Sequence, residues 1–400
     1  VSHSGTLPEQ RAGQRQDGRP ARLRVPAPGW LLAIAGGLAA TAAAVAEPTA
    51  AGQAAGQDWQ PFVLVTGLLL IGLVADGDGL FEAGGHQLAR LARGGVALYC
   101  GAAVLIGVVT ALLNLDTSVA FLTPVLVYTA RRRGGGEAPL LYGCLLLSNA
   151  GSLLLPGSNL TNLIVLGHLH LSGAVFASRM WLAWLAALAV TAAALAITER
   201  RELLITAVEP VSRARRPVLG LGLAAIVTAT VLVVALRAPA VPVVAVGLAV
   251  VTTRGWQRRL AARDAFAVAG LPVLTGLFGI AVALGVLGRV WSGPAALLTH
   301  LGSWATAGVA AVAAVLVNNL PAASLLAART PGHPFALLVG LNIGPNLLAS
   351  GSLAWILWLK SARTAGADPS LRRASRLGAV TVPLAMAAAL AALTLAGGAG

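Results

Sequence analysis

The stretch "VVTALLNLDTSVAFLTPVLV", residues 108–127, decides how the chain is read, because it sets a carboxylate, Asp116, inside a run otherwise suited to lipid. A charged side chain at that depth is costly, and it marks a solute path or a proton relay. The knot "NLDTS" at 114–118 also breaks the helical run, so the region of about 94–130 reads as two arms folded back on one another, the second too short to cross alone. Asp116 reads as a proton-coupling group or the carboxyl ligand of a coupling cation; capping of the return helix is the competing reading.

Composition agrees with a lipid setting. Charged residues are 10% of the chain, hydrophobic residues 57% and mean hydropathy is +0.81, where soluble domains carry roughly 25% charged residues. The fold class is therefore an all-α polytopic membrane protein. The net charge of +14 does not point to nucleic acid, since the arginines fall in short clusters between apolar runs, as loops on one membrane face require. Cys100 and Cys144 lie in apolar runs without CxxC spacing, so neither a disulfide framework nor a zinc site is indicated. Each reads as a small buried hydrophobe, with a thiolate ligand for a metalloid as the sharper alternative. No cofactor is called for.

Residues 1–29 read as a disordered basic tail, whose arginines argue for a cytoplasmic start. The run at 30–46 reads as a first helix, although Ala44-Val45-Ala46 also resembles a signal-peptidase site. Further spans fall near 61–75, 138–170, 177–198, 218–236, 239–253, 265–289, 335–359 and 377–396, with a second knotted region at about 303–329 around "NNLP". Treating both knotted regions as hairpins puts the arginines near 90–93, 131–133, 199–217, 254–263 and 360–376 inside, and Glu47, Asp58 and the "HLHLSG" turn outside. The chain then divides into a first repeat at 30–198 with a cytoplasmic-side hairpin, a linker at 199–217 and a second repeat at 218–396 with an external-side hairpin.

Internal similarity supports that division. "SNAGSLLLPGSNLTN" (148–162) follows the first knot and "LNIGPNLLASGSLAW" (341–355) the second; aligning Asn149 with Asn342 aligns Gly151 with Gly344. Helix breakers at membrane depth are tolerated only where freed backbone is buried in protein or lines a cavity. Gly151, Pro156 and Gly157 break one helix, Gly344, Pro345 and Gly351 the other. Two hairpin tips and two broken helices are the signature of a secondary transporter built as an inverted repeat with its site at the midplane. The solute-binding candidates are Asn114, Thr117, Ser118, Asn149, Ser158, Asn159, Thr161, Asn318, Asn319, Asn342, Asn346 and Ser350, all amides and hydroxyls able to replace a hydration shell.

Asp76, Asp78 and Glu82 lack the register of a calcium loop, and their segment reads as an interfacial amphipathic helix ending at Arg90 and Arg93. His168 and His170 read as solvated, and Trp181, Trp184, Trp355 and Trp358 as interface anchors. No HExxH, GxSxG or Walker A motif argues for an enzyme or a built-in ATPase.

On "LLNLDTSVAFLTPVLV" with its trailing "ARRRG", "LLLPGSNLTNL", "LVNNLPAA" and "LVGLNIGPNLLASGSLA", the chain resembles the ArsB-type arsenite and antimonite efflux permeases of the ion transporter superfamily. That resemblance implies alternating access, frequent dimers, service for some members by a separate soluble ATPase, and export of an uncharged trivalent metalloid hydroxide against protons from the plasma membrane. The superfamily also holds sodium/proton antiporters and carboxylate symporters. The symporters carry Ser-Asn-Thr at both tips, whereas here the tips read Asn114-Leu115-Asp116-Thr117 and Asn318-Asn319-Leu320-Pro321, with no arginine.

Overall fold

The structure is a computed structural model that describes residues 28–167, 169, 171–204 and 220–396; the basic tail, His168, His170 and most of the linker lie outside the described residues. Among the described residues the chain is helical throughout, with no strand. Helix α1 (Pro28–Ala46) packs on a later helix, and α2 (Pro48–Gly77) is 30 residues long, about 45 Å. The sequence reading began this span at 61 and left Asp58 in an outside loop. Instead the helix starts thirteen residues sooner, with Pro48 at the tolerated first-turn position, and runs on through Pro61 in its interior.

Amphipathic α3 (Leu80–Leu91) leads into α4 (Gly95–Leu112) and α5 (Leu115–Arg132), the arms of the first knotted region. Each arm has 18 residues, so the second is not the short arm expected. Its length survives Thr123, Thr129 and Pro124 because each polar defect is answered. Thr123 and Thr129 donate back to Val119 O and Val125 O at 2.6 and 2.7 Å, and the Ala120 carbonyl that Pro124 leaves without its donor accepts from Ser361 at 3.1 Å.

The first broken helix is α6 (Ala138–Gly151), a tight turn at Pro156–Ser158 and α7 (Leu160–Leu166); α8 (Gly173–Thr198) and the short α9 (Arg200–Leu203) follow. In the second half come α10 (Leu221–Ala235), α11 (Ala240–Trp256), α12 (Ala262–Ala269), α13 (Leu271–Val290) and α14 (Gly293–His300). The second hairpin is α15 (Ser303–Val317) and α16 (Asn319–Leu326), the second broken helix α17 (Pro334–Ile343), a turn at Gly344–Leu347 and α18 (Leu353–Thr364), and α19 (Leu371–Leu395) closes the chain. Among the described residues six helices are long and apolar enough to cross a membrane.

Helix α2 is the shared wall. Leu64, Leu68, Ile71 and Val74 join the core around the first hairpin, while Phe62, Val65 and Leu69 join the core around the second. Close backbone approach fixes its neighbours: a Cβ on Gly67 would stand 2.7 Å from Val244 Cα, and one on Gly36 of α1 would stand 2.0 Å from Gly276 O of α13. Small residues at such crossings allow helices without a water-driven force to gain contact.

The two hairpins open at opposite ends of α2. At its C-terminal end Asp78 pairs with Arg254 and accepts from Gly222 N at 2.9 Å. The same end carries Arg133 donating to Ala92 O, so both outer ends of the first hairpin meet, and Arg131 bound to Glu137, Ala365 O and Gly366 O. Arg373 joins it by pairing with Glu199 and, at 2.8 Å, Glu202. Toward the other end of α2, Gln57 donates to Ile164 O at 3.3 Å and to Ala327 O, just past the second hairpin, at 3.2 Å. Arg329 donates there to Arg289 O at 2.9 Å. Gln57 and Asp78 are roughly 30 Å apart along the helix, the thickness of a bilayer's hydrocarbon core.

Trp355 and Trp358 are not interface anchors. They are 1% and 0% exposed, and their indole N–H groups donate to Pro345 O and Leu141 O, each at 2.8 Å. The turn at Pro345 frees a carbonyl that needs a donor, which Trp355 supplies, while Trp358 ties α18 to α6. Trp184 likewise donates to Gly151 O at 3.0 Å, whereas Trp181 is exposed as expected.

Candidate functional site

The first break keeps its unwound backbone buried and the second is part-exposed over 347–350, and in both the stranded N–H and C=O groups need partners. In the first break, Asn162 Nδ2 donates to Ser152 O at 2.8 Å and to Leu155 O at 3.0 Å, and Ser158 Oγ accepts from Leu155 N at 3.1 Å. The asparagines and serines are there partly because they replace the lost helical ladder. In the second break, Asn318 Nδ2 donates to Ser350 O at 3.2 Å and Asn319 N to Gly351 O at 2.9 Å.

Both hairpin tips are stapled to a break in the same way. Ser158 Oγ donates to Ala111 O at 3.1 Å, three residues before Asn114; Ser350 Oγ donates to Val315 O at 2.7 Å, three residues before Asn318. The tips are also capped alike: Asn114 Oδ1 accepts from Thr117 N at 2.6 Å and Asn318 Oδ1 from Leu320 N at 3.3 Å. The Asn114 side chain, not Asp116, therefore fills the capping role. Asn318 holds φ +74° with ψ 149°, outside the left-handed helical region and in one populated almost only by glycine, so the second tip is a strained turn.

The halves meet at Asn342. Its Oδ1 accepts from Asn159 Nδ2 at 2.5 Å and from Thr161 Oγ1 at 2.7 Å, while its Nδ2 donates to Asn162 Oδ1 at 2.7 Å. A second bridge runs from Asn346 Nδ2 to Leu146 O at 3.0 Å, and Ser118 and Ser148 share a hydrogen bond of 3.1 Å. These bonds bring together residues of α7, the second break, the first hairpin and α6.

The sequence-derived candidates now separate into three groups. Asn159, Thr161, Asn342 and Ser158 are largely bound to one another or to backbone. Asn318 and Ser350 hold the second tip against its break, with Ser350 exposed. The third group carries unspent capacity: Asn114 Nδ2, Thr117 Oγ1, Asn149 Oδ1, Asn346 Oδ1 and Ser352 Oγ are buried atoms without a hydrogen-bond partner. Thr117 and Asn149 adjoin the Ser118–Ser148 bond, and Asn346 reaches Leu146 in the same part of α6. Ser352 stands at the head of α18, which runs parallel to α5, since Ser361 meets Ala120 and Ala365 meets Arg131, so the two helices begin within about one turn of each other.

Asp116 lies in the first turn of α5, is 4% exposed, and its carboxylate forms no hydrogen bond among the described residues. It stands beside a helix N-terminus whose partial positive charge favours an anion. Ser352, like Asn342, Asn346 and Ser350, belongs to the polar set that the sequence places in the second broken helix; Asp58 is the polar group that the sequence leaves in an outside loop. Among the described residues no cluster of His, Cys, Asp and Glu is arranged to hold a metal ion.

A family model described as CitMHS, citrate transporter, matches residues 26–359. Among solved structures the chain is similar to the YdaH transporter of Alcanivorax borkumensis, described as revealing an unusual topology, at 17% sequence identity over 87% of each chain with a TM-score of 0.49.

Proposed function

The chain belongs to the citrate transporter family and is a membrane transporter rather than an enzyme, and from that premise we propose that it moves a small carboxylate of the citrate class by proton-coupled alternating access. The observation that carries this reading is the group of five buried polar atoms without partners between the first hairpin tip and the second break. Folded proteins rarely leave such atoms unsatisfied, so these five have capacity left for a solute. Asn114 Nδ2, the hydroxyls of Thr117 and Ser352, and the N-terminal ends of α5 and α18 favour carboxylate oxygens. The free carbonyls of Asn149 and Asn346 suit a substrate hydroxyl or a coupling cation. Asp116 carries the coupling proton, and the arginine-rich end of α2 faces the cytoplasm.

The test is uptake of isotopically labelled citrate by purified protein in liposomes under an imposed proton gradient. Gradient-driven accumulation is expected; a protein that carries neither citrate nor any other di- or tricarboxylate sinks the proposal. Asp116→Asn is expected to cut accumulation about tenfold or more and flatten its pH dependence while leaving citrate exchange, since a fixed neutral amide cannot carry the proton.

A second reading, export of trivalent arsenic or antimony hydroxides, is favoured by two features: the unpartnered cluster contains no basic side chain, and the Cys144 thiol accepts from Thr123 Oγ1 at 3.4 Å in the helix that leads to it. An uncharged hydroxide enters such a site without loss of ionic hydration. Arsenite flux in the same liposomes, lost in Cys144→Ser, would choose it over the carboxylate.

A further inference from the structure

At the end of α2 opposite the arginine-rich loops, a cavity of about 450 Å³ opens between α2, α13 and the turn between α10 and α11. Its size is that of a small-molecule site. Gln53, Gln57 and Gln60 of α2 line it with Arg237 and Arg289, and Pro156 of the first break forms part of its wall. Among the described residues no carboxylate lines it, so its charge comes from two guanidinium groups beside three neutral side-chain amides. That combination repels a cation and receives an anion.

Arg289 is half-buried and only partly engaged. It donates to Gln57 Oε1 and to Gly285 O, leaving further N–H donors of its five. Behind it Asp58 is 1% exposed, and neither of its carboxylate oxygens has a partner. Ser324 faces Asp58 from α16 but donates to Leu320 O at 3.3 Å. Guanidinium and carboxylate flank Gly285 of α13: a Cβ there would stand 3.1 Å from Arg289 Nη1 and 3.8 Å from Asp58 Oδ2. A buried, unpartnered acid beside a half-engaged arginine on a cavity wall is an arrangement with two uses for one positive charge.

We propose that this cavity is an outer binding site for a di- or tricarboxylate, anchored by Arg289 with Arg237 at its rim, in which Asp58 competes with the bound carboxylate for the Arg289 guanidinium. It rests on the carboxylate reading of the central site and adds a second station to it, on the far side of the first break. Gln57 ties that station to the first broken helix and the second hairpin, since its amide also holds Ile164 O of α7 and Ala327 O just past α16.

Citrate uptake kinetics in liposomes test the assignment. Arg289→Gln is expected to raise KM about tenfold or more with Vmax within about twofold, because a charge-assisted contact is lost from binding alone. Asp58→Asn, which removes the competitor, lowers KM. Gln53 is exposed at the rim and outside any hydrogen-bond network described above, so its variants fold: Gln53→Lys lowers KM and Gln53→Glu raises it, each about two- to fivefold at low salt and less at high salt. Wild-type KM in Arg289→Gln, or in both Gln53 variants where Arg289→Gln does not fold, overturns this site while normal citrate flux leaves the central reading standing. An unchanged KM in Asp58→Asn overturns the competition. A wild-type protein that carries no carboxylate overturns both readings together.

Discussion

Asn342 shows how much one side chain does. Its amide oxygen takes two donors and its nitrogen serves a third partner, all roughly 180 positions away in sequence. Asn342→Ala leaves Thr161 Oγ1 and Asn162 Oδ1 without those partners in a buried setting, at about 1–3 kcal/mol for each group orphaned. Asn159 keeps a bond to Ser152 at 3.3 Å, so its share is smaller. Chemical denaturation in detergent is expected to show the loss, with Asn342→Asp retaining the acceptor and falling between Ala and wild type; a melting curve unmoved by Asn342→Ala would refute the bridging role. The sequence pointed to Asn342, Asn159 and Thr161 because polar residues interrupt an apolar run there. Which of them are spent on each other, and which, like Asn149 and Ser352, keep an empty valence, depends on contacts between halves and is absent from any local pattern.

At the scale of elements, the ends of helices carry the electrostatic load. Asp78 and Arg254 have side chains 5% and 8% exposed, so removing one partner strands a buried charge. Arg254→Gln is expected to destabilise the protein by about 3–5 kcal/mol. Arg263 and Asp264, 88% and 54% exposed at 3.6 Å, are the contrast, and Arg263→Gln is expected to change stability by no more than about 0.5 kcal/mol. Equal melting shifts in the two variants would mean that the Asp78 pair is solvated after all. Helix existence was legible wherever apolar runs were long, and the breaks at Pro156 and Pro345 were legible because proline and glycine interrupt any ladder. The start of α2 was not: Gln53, Gln57, Asp58 and Gln60 look like loop until α13 and α16 are seen to enclose Asp58. The tryptophan pair at 355 and 358 misled for the same reason, since an indole at an interface and an indole capping a buried carbonyl have the same local sequence.

For the whole molecule, the arrangement of opposed hairpins has a direct check. Single cysteines at Arg132 and Thr330, both exposed, placed in a Cys100→Ala background because Cys100 is itself exposed, are expected to react with impermeant reagents from opposite sides of the membrane. Labelling of both from one side would remove the basis for alternating access. Composition, the arginine clusters and four polar interruptions were sufficient, in the sequence by itself, to determine a helical membrane transporter with two hairpins and two broken helices, because lipid leaves backbone no alternative to helices and makes every polar break expensive. Only the tertiary structure decided which breaks face which tips, which amides remain unpaired, and where Asp58 and Arg289 meet. Those outcomes rest on hydrogen bonds and charge contacts between segments more than a hundred residues apart, and such contacts are a property of packing.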